Sequence, residues 1–190
     1  WMNRFGFGSK PGIDLLGGKR YASADGFEIT CDVIYVSTFL LTYLLRPVLG
    51  ATRPSKVVNV ASAGQSPIDF DNVMLERGYE GYKAYAQSKL AQILFTFDLA
   101  EETKGTNVTA NCLHPATYMD TTMVRQGGIT PINSVDTGAD AVLALVNDTK
   151  SLTGRYFDVQ RETKANAQAY DRDARRRLKA LSLKLTGLDA

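Results

Sequence analysis

A run of β-branched residues that ends in small residues is the feature that most constrains how this chain can fold. Residues 56–62 (Lys-Val-Val-Asn-Val-Ala-Ser) predict a buried parallel strand at 57–62, and Ala63 and Gly64 predict a turn at its carboxyl end. Residues 107–117 repeat the pattern, with a strand at 108–113 that leads into a loop at Pro115. Ligands of open α/β sheets bind at the carboxyl ends of such strands. Both turns are therefore candidate parts of a functional site.

Segments with helical periodicity lie between and around these strands. Apolar residues recur at helical spacing from Ala24 to Leu49, where Pro47 is expected to limit the helix, and again from about Tyr82 to Glu102. The pattern further predicts a Gly-rich loop near 127–131, a helix at 136–147, a strand around 154–159 and a closing helix from about 171. Strands that alternate with helices predict a parallel α/β sheet, and 190 residues with 44% apolar content suit one domain over 1–190.

Tyr85 and Lys89 are the most informative pair of side chains in the chain. They lie four residues apart on the helix predicted from Tyr82, and therefore share one of its faces. A positive charge beside a phenol favours the phenolate and lowers its pKa from about 10 toward neutrality, where a general acid or base is useful. Tyr85, Lys89 and Gln92 fall on a face that adjoins the apolar stripe of the helix, so the helix can pack on the sheet and still present this pair to a cleft.

The serine turn, the Tyr/Lys helix and the strand that runs into a proline loop occur in the order found in the short-chain dehydrogenase/reductase family. The chain resembles this family from about Ile13 to its end. The resemblance implies a Rossmann-like parallel sheet with flanking helices and an NAD(P)-dependent oxidoreductase that interconverts an alcohol and a carbonyl. The long stretch between Ser62 and Tyr85 is similar to the branch that includes the retinol dehydrogenases, which favours an apolar substrate.

The same resemblance implies a role for each matched residue. Tyr85 would exchange a proton with the substrate oxygen while a hydride moves between C4 of the nicotinamide and the substrate carbon. Lys89 would lower the pKa of Tyr85 and hydrogen-bond the nicotinamide ribose, and Ser62 would orient the substrate oxygen. Contacts to the cofactor, NAD or NADP, are predicted for Tyr85, Lys89, Pro115, Ala116, Thr117 and Thr121, and contacts to the substrate for Ser62, Ala63 and Tyr118. Each also has an ordinary structural interpretation, such as a surface tyrosine, an exposed helix lysine or a serine in a turn.

The sequence departs from the family pattern at three places. Ala116 stands where a glycine is usual, and Ile34 stands where a helix asparagine completes a Ser-Tyr-Lys-Asn set and supports a proton relay through water. The glycine-rich phosphate loop that belongs between the first strand and the first helix is missing from residues 1–18, although Ile13–Leu16 can form a short strand. These departures predict that the N-terminal βαβ portion is absent or incomplete.

Composition limits which binding partners and which cellular compartment are expected. A net charge of +2 gives no electrostatic case for nucleic acid. Two cysteines in apolar segments favour free thiols in a reducing cytoplasm, and a single histidine leaves little material for a metal site. The longest uncharged run, Val33 to Leu45, is too short to span a bilayer, so no membrane contact is expected. The partners expected are a small alcohol or carbonyl and further copies of the chain. Helices 24–49 and 82–102 are apolar enough for a homodimer or a higher homo-oligomer, and core burial in a monomer would explain the same pattern.

Two other functions stay open at this stage. Ile34 and the missing phosphate loop are compatible with a catalytically impaired relic or a partner-binding module that needs another segment or chain to bind a cofactor. An isomerase or epimerase of the extended branch would use the same Tyr/Lys pair with a bound cofactor. The stretch after Pro115 looks short for the substrate domain of such enzymes, so this interpretation ranks last.

Overall fold

A four-stranded sheet with the order β1-β2-β3-β4 forms the centre of the fold. The structure is a computed structural model that describes residues 18–51 and 54–188, so the predicted strand at Ile13–Leu16 lies outside the described residues. The strands are β1 (Ser55–Val60), β2 (Val108–His114), β3 (Tyr156–Asp158) and β4 (Arg161–Thr163). The first three are parallel and β4 pairs antiparallel with β3. The predicted Rossmann-like parallel sheet is therefore confirmed, apart from the short hairpin strand β4.

Five helices flank the sheet within the described residues, and the predicted order of helices and strands is confirmed for the main elements. The helices are α1 (Ile29–Ala51), α2 (Gly81–Glu102), α3 (Thr122–Gln126), α4 (Val135–Val146) and α5 (Arg172–Thr186), with a 3-10 turn at Ala167–Tyr170. The sequence patterns did not predict the short helix α3. It has only five residues, which are too few for a periodic pattern.

Alternation along the strands divides the core into two layers, one on each face of the sheet. On one face Ala110 and Cys112 of β2 pack with buried residues of α1, α2 and α5. On the other face Leu113 packs against Ala141 and Leu145 of α4. Successive side chains of a strand point to opposite faces, so β2 supplies both layers from adjacent residues. This two-sided cover is what a parallel sheet of buried strands requires.

Helix α1 differs from its prediction at both ends. It begins at Ile29 rather than near Ala24, because the buried carboxylate of Glu28 caps it by accepting from the backbone N–H groups of Thr30 and Cys31. The prediction that Pro47 limits the helix is wrong, because the helix continues through Pro47 to Ala51. Proline removes one backbone donor from this exposed last part of the helix and does not end it.

The length of α1 also bears on the membrane prediction. The uncharged run Val33–Leu45 is shorter than the helix, which includes Asp32 and Arg46 and extends over 23 residues. Among the described residues α1 is long and apolar enough to cross a membrane, with a mean hydropathy of 1.5 and only 22% of that window buried. The core helix of a soluble protein can reach the same length and mean hydropathy. The expectation of no membrane contact is therefore not supported, and the cytoplasmic location is not confirmed.

Candidate active site

Ser62 lies two residues beyond the end of β1, and several hydrogen bonds fix it there. Its carbonyl oxygen accepts from the Tyr156 hydroxyl at 3.0 Å and from the Gln65 side-chain amide at 2.9 Å. Its hydroxyl oxygen accepts from the backbone N–H of Gly64 at 3.0 Å. The serine is buried, with 7% of its surface exposed. Tyr156 and Gln65 were not predicted as site residues, because only the tertiary fold brings them to the serine turn.

The Tyr85 side chain meets Ser62 beside a space that Gly64 leaves open. The Tyr85 hydroxyl lies close enough to the Ser62 side chain for that side chain to lower the pKa of Tyr85. A Cβ placed on Gly64 would lie 3.5 Å from the Ser62 hydroxyl oxygen, 3.7 Å from Cε1 of Tyr85 and 3.3 Å from the Tyr82 hydroxyl oxygen. The missing side chain of Gly64 therefore leaves room between three hydroxyl-bearing residues. Tyr82 was not predicted, although its position three residues before Tyr85 places it on the same helix face.

Lys89 completes the cluster from the same helix face. Its ammonium nitrogen donates to the carbonyl oxygen of Val60 at 2.8 Å and to the side-chain oxygen of Gln92 at 3.2 Å. The nitrogen also lies 5.8 Å from the centre of the Tyr85 ring. The lysine is thus held at the last residue of β1, beside the phenol. Burial lowers the pKa of Lys89 to about 8.

The pKa of Tyr85 shifts in the direction opposite to the expected decrease. Burial raises it above its usual value, the nearby Ser62 side chain opposes this, and Tyr82 adds to the increase. The Lys89 ammonium hydrogen-bonds Val60 and Gln92 and lies beside the Tyr85 ring, so it does not offset the effect of burial. Tyr85 is therefore protonated at neutral pH, which suits a residue that gives a proton.

The loop after β2 leaves the sheet next to the serine turn. β2 pairs in parallel with β1, and the Ala61 N–H donates to the Leu113 carbonyl oxygen at 2.8 Å, so the two turns start side by side. Pro115 and Ala116 are buried and Thr117 is exposed. The Thr117 hydroxyl contacts His114 Nε2 at 2.9 Å. The predicted loop residues therefore start at the edge that carries Ser62.

Three further predicted residues lie in the two turns. Thr121 caps α3 by accepting from the Val124 N–H at 3.4 Å, so its hydroxyl serves the helix. Tyr118 is half exposed and has a φ of 44°, an uncommon conformation for a residue with a side chain. Ala63 is exposed in the serine turn. Within residues 18–51 and 54–188, no group of three or more His, Cys, Asp or Glu residues could hold a metal ion.

Comparison with known proteins decides the family. Residues 12–130, well over half of the chain, match the short chain dehydrogenase family. This chain belongs to that family. It is 34% identical over 191 residues to retinol dehydrogenase 13 of Homo sapiens. The aligned region covers 90% of this chain and 57% of that protein. The predicted resemblance, including the retinol-dehydrogenase-like branch, is confirmed.

Solved structures support the same fold. An uncharacterized protein from Mycobacterium Paratuberculosis has a TM-score of 0.70 and 25% identity, over 89% of this chain and 62% of that chain. A short chain dehydrogenase from Shigella flexneri 2a str. 301, solved with NADP, has a TM-score of 0.53 and 26% identity, over 68% of this chain and 52% of that chain. The chain thus spans little more than half the length of these relatives. Membership of the family supports an oxidoreductase that uses a nicotinamide dinucleotide.

Proposed function

We propose that this chain carries the catalytic site of an NAD(P)-dependent oxidoreductase that interconverts an alcohol and a carbonyl. The observation that carries the proposal is the convergence of Ser62, Tyr85 and Lys89 at the carboxyl end of β1. These three side chains come from two elements that pack closely, and the space over Gly64 beside them can hold a substrate oxygen. Family membership supports the reaction class.

The residues suit a proton transfer that accompanies hydride transfer. In the reducing direction Tyr85 would give its proton to the carbonyl oxygen, while a bound nicotinamide would supply the hydride for the carbonyl carbon. The raised pKa of Tyr85 keeps this proton on the phenol at neutral pH until the oxygen becomes basic. Ser62 binds the same oxygen and fixes its position, because its own backbone is held by Tyr156 and Gln65. In the oxidising direction Tyr85 would accept the proton of the alcohol only after its own phenol has been deprotonated, so the raised pKa favours the reducing direction at neutral pH.

The residues also fit the nicotinamide end of the cofactor. An ammonium has three donors, and two of the three on Lys89 are used by Val60 and Gln92 among the described residues. The remaining donor is available for a ribose hydroxyl. Pro115, Ala116 and Thr117 leave the neighbouring strand and would border the nicotinamide, with Thr121 further along the same loop. The phosphates would be bound by residues outside those that the structure describes.

An apolar substrate is the class that we propose. The names of the retinol dehydrogenase relatives indicate an apolar alcohol, retinol, as their substrate. In this chain the loop after Pro115 exposes Tyr118 and Met123, whose apolar surfaces can contact such a substrate. Ala63, exposed in the serine turn, would line the opposite side. All-trans-retinaldehyde and short aliphatic carbonyls are therefore suitable probes of chain length.

Turnover of the Tyr85→Phe variant tests the proposal. With NADH or NADPH and a panel of carbonyls, loss of the phenolic proton is expected to reduce kcat about 10²–10⁴-fold. The matched control is Tyr35→Phe, which removes a buried hydroxyl that bonds Ser182 on the far side of the core. This control should keep its turnover. Equal turnover of Tyr85→Phe and the unmodified chain would contradict the proposal.

A partner-binding module is a second candidate, because part of the surface lacks cover among the described residues. β1 pairs with no strand on its outer side within residues 18–51 and 54–188. The half of α1 beyond Phe39 exposes Leu41, Leu44, Leu45 and Val48. Exposed strand edges and apolar faces favour association. This candidate predicts an obligate oligomer or a complex in sedimentation velocity, and a dispersed monomer at micromolar concentration would count against it. The predicted homodimer is tested by the same measurement.

A further inference from the structure

Gln92 connects the lysine of the proposed site to the first helix. It lies one turn after Lys89 on α2, and only 6% of its surface is exposed. Its side-chain oxygen accepts from the Lys89 ammonium at 3.2 Å. Its side-chain nitrogen donates to the Ile34 carbonyl oxygen at 2.9 Å and lies 3.3 Å from the Thr38 hydroxyl oxygen. Both ends of this amide are therefore hydrogen-bonded.

The anchor on α1 is an irregular part of that helix. Residues Asp32–Val36 form a π-helical stretch, and the Ser37 N–H reaches back five residues to the Asp32 carbonyl oxygen. Such stretches change which carbonyls the helix itself uses and are frequent at functional sites. The Ile34 carbonyl, in the middle of the stretch, accepts from two side chains, Thr38 and Gln92. It thus provides a fixed acceptor that points toward α2.

We infer that Gln92 is a positioning residue that holds the Lys89 ammonium in place by linking it to the Ile34 carbonyl. Val60 fixes the ammonium from the sheet, and Gln92 of α2, which is anchored to α1, fixes it from the helices, so two of its donors have set directions. The third donor remains for a ribose hydroxyl. The inference rests on the proposed function for the role of Lys89. The anchor for Gln92 is the backbone carbonyl oxygen of Ile34, so it does not depend on the asparagine side chain that the family usually has at this position.

Two substitutions separate the two ends of the amide. Gln92→Met keeps the length of the side chain but removes the acceptor for Lys89 and the donor to Ile34. Gln92→Glu keeps an acceptor, adds a negative charge beside the ammonium and removes the donor. An ammonium that loses a hydrogen-bond acceptor is easier to deprotonate, and one that gains a carboxylate is harder. The pKa of Lys89 should therefore fall by about one pH unit with Met and rise by about one pH unit with Glu.

The measurement is the pH dependence of Lys89 acetylation by trace acetic anhydride, read by mass spectrometry on the purified 190-residue chain. It needs neither a substrate nor a cofactor. The matched control is Gln87→Met on the same helix, which removes a buried amide that bonds Asp69 and Val73 instead. This control should lower the melting temperature and leave the titration of Lys89 unchanged.

The outcomes separate this inference from the proposed function. Opposite movements of the Lys89 titration in the Met and Glu variants would support Gln92 as its positioning residue. An unchanged titration in a folded Gln92→Glu variant would overturn the inference, even if Gln92→Met fails to fold. Full turnover of Tyr85→Phe would instead overturn the proposed function and leave the titration result intact.

Discussion

Helices α1 and α2 lie side by side but are held in very different ways. α2 is buried around most of its circumference, between the sheet, α1 and α5, and exposes little beyond the face that carries Tyr82. α1 is buried through Cys31, Tyr35, Val36 and Phe39, whereas its second half exposes leucines to solvent. Tyr85 and Lys89, two of the three residues proposed for catalysis, project from α2, the more deeply buried helix. A site that must hold a phenol and an ammonium in fixed positions is best built on such an element.

The difference also concerns what each helix gives to the other. α1 supplies α2 with the Ile34 carbonyl and with tilted aromatic contacts, such as Phe39 against Phe95 at 5.2 Å between ring centres. The second half of α1 has fewer such contacts. Arg46 pairs there with Glu102 at 2.7 Å, a partly exposed ion pair of small energetic value. Support for the site therefore comes from the first half of α1.

The largest expected effect comes from the same substitution made in both helices. Leu94→Ala removes a side chain with 0% exposure from the centre of α2, and Leu44→Ala removes one with 58% exposure from α1. The first should lower the free energy of unfolding by about 2–5 kcal/mol and the second by less than about 0.5 kcal/mol. Urea unfolding measures both. Equal costs would show that the exposed half of α1 is buried in solution, by a partner or by a second copy.

A pH titration of stability tests how far the burial of α2 extends to Lys89. Burial lowers the pKa of Lys89 from 10.5 to about 8. Between these values the unfolded chain binds more protons than the folded chain, so stability should rise as the pH increases from 8 toward 10. The cost of burying the charged Lys89 is therefore full below pH 8, decreases as the pH rises from 8 to 10.5, and is absent above 10.5. Lys89→Met should remove the increase.

The stability measurements end at pH 10, because above this pH the buried tyrosines lower the stability as the pH rises. Burial raises the pKa of Tyr85 and of Tyr35 in the folded chain, so the unfolded chain loses those protons first and stability falls. Melting temperatures of the two variants at pH 7, 8, 9 and 10 provide the measurement. Parallel curves for Lys89→Met and the unmodified chain would mean that Lys89 is solvated.

The smallest expected effect concerns the attachment of α1 to α5. The Tyr35 hydroxyl and the Ser182 hydroxyl lie 2.6 Å apart in the core. Tyr35→Phe should cost about 1 kcal/mol, because Ser182 keeps its bond to the Leu178 carbonyl and is not left unpaired. Tyr21→Phe, on a half-exposed tyrosine, is the control and should cost nothing measurable by urea unfolding. A cost of Tyr35→Phe as small as that of the control would mean that this bond does not anchor α1.

The sequence predicted most of α2 and of the first two strands because each carries a strong local pattern. Tyr85 and Lys89 are four residues apart on one face, and β1 is a β-branched run, so neither needs knowledge of the tertiary fold. The resemblance identified Ser62 by its place in the turn. The boundaries of α1 were less predictable, since the Glu28 cap and the passage through Pro47 depend on burial that a local pattern does not show.

The partners of the site residues could not be predicted from the sequence. Lys89 and Tyr85 share a face, but the direction of the ammonium is set by Val60 and Gln92, which are acceptors positioned by the fold. The expected decrease in the pKa of Tyr85 was wrong because burial, which a local pattern does not show, raises that pKa. The π-helical stretch around Ile34 gives no signal in the sequence either. Ile34 itself marked the position only as a departure from the family pattern.

Transfer of deuterium to a carbonyl substrate from NADPH or NADH that carries deuterium at both C4 positions is the decisive test of a nicotinamide-dependent site. With all-trans-retinaldehyde or a shorter carbonyl, we expect the alcohol product to carry deuterium on the former carbonyl carbon. We also expect Tyr85→Phe to slow this transfer about 10²–10⁴-fold, whereas Tyr35→Phe does not. An alcohol without deuterium, or equal rates for the two variants, would contradict the assignment of a nicotinamide-dependent site at Ser62, Tyr85 and Lys89.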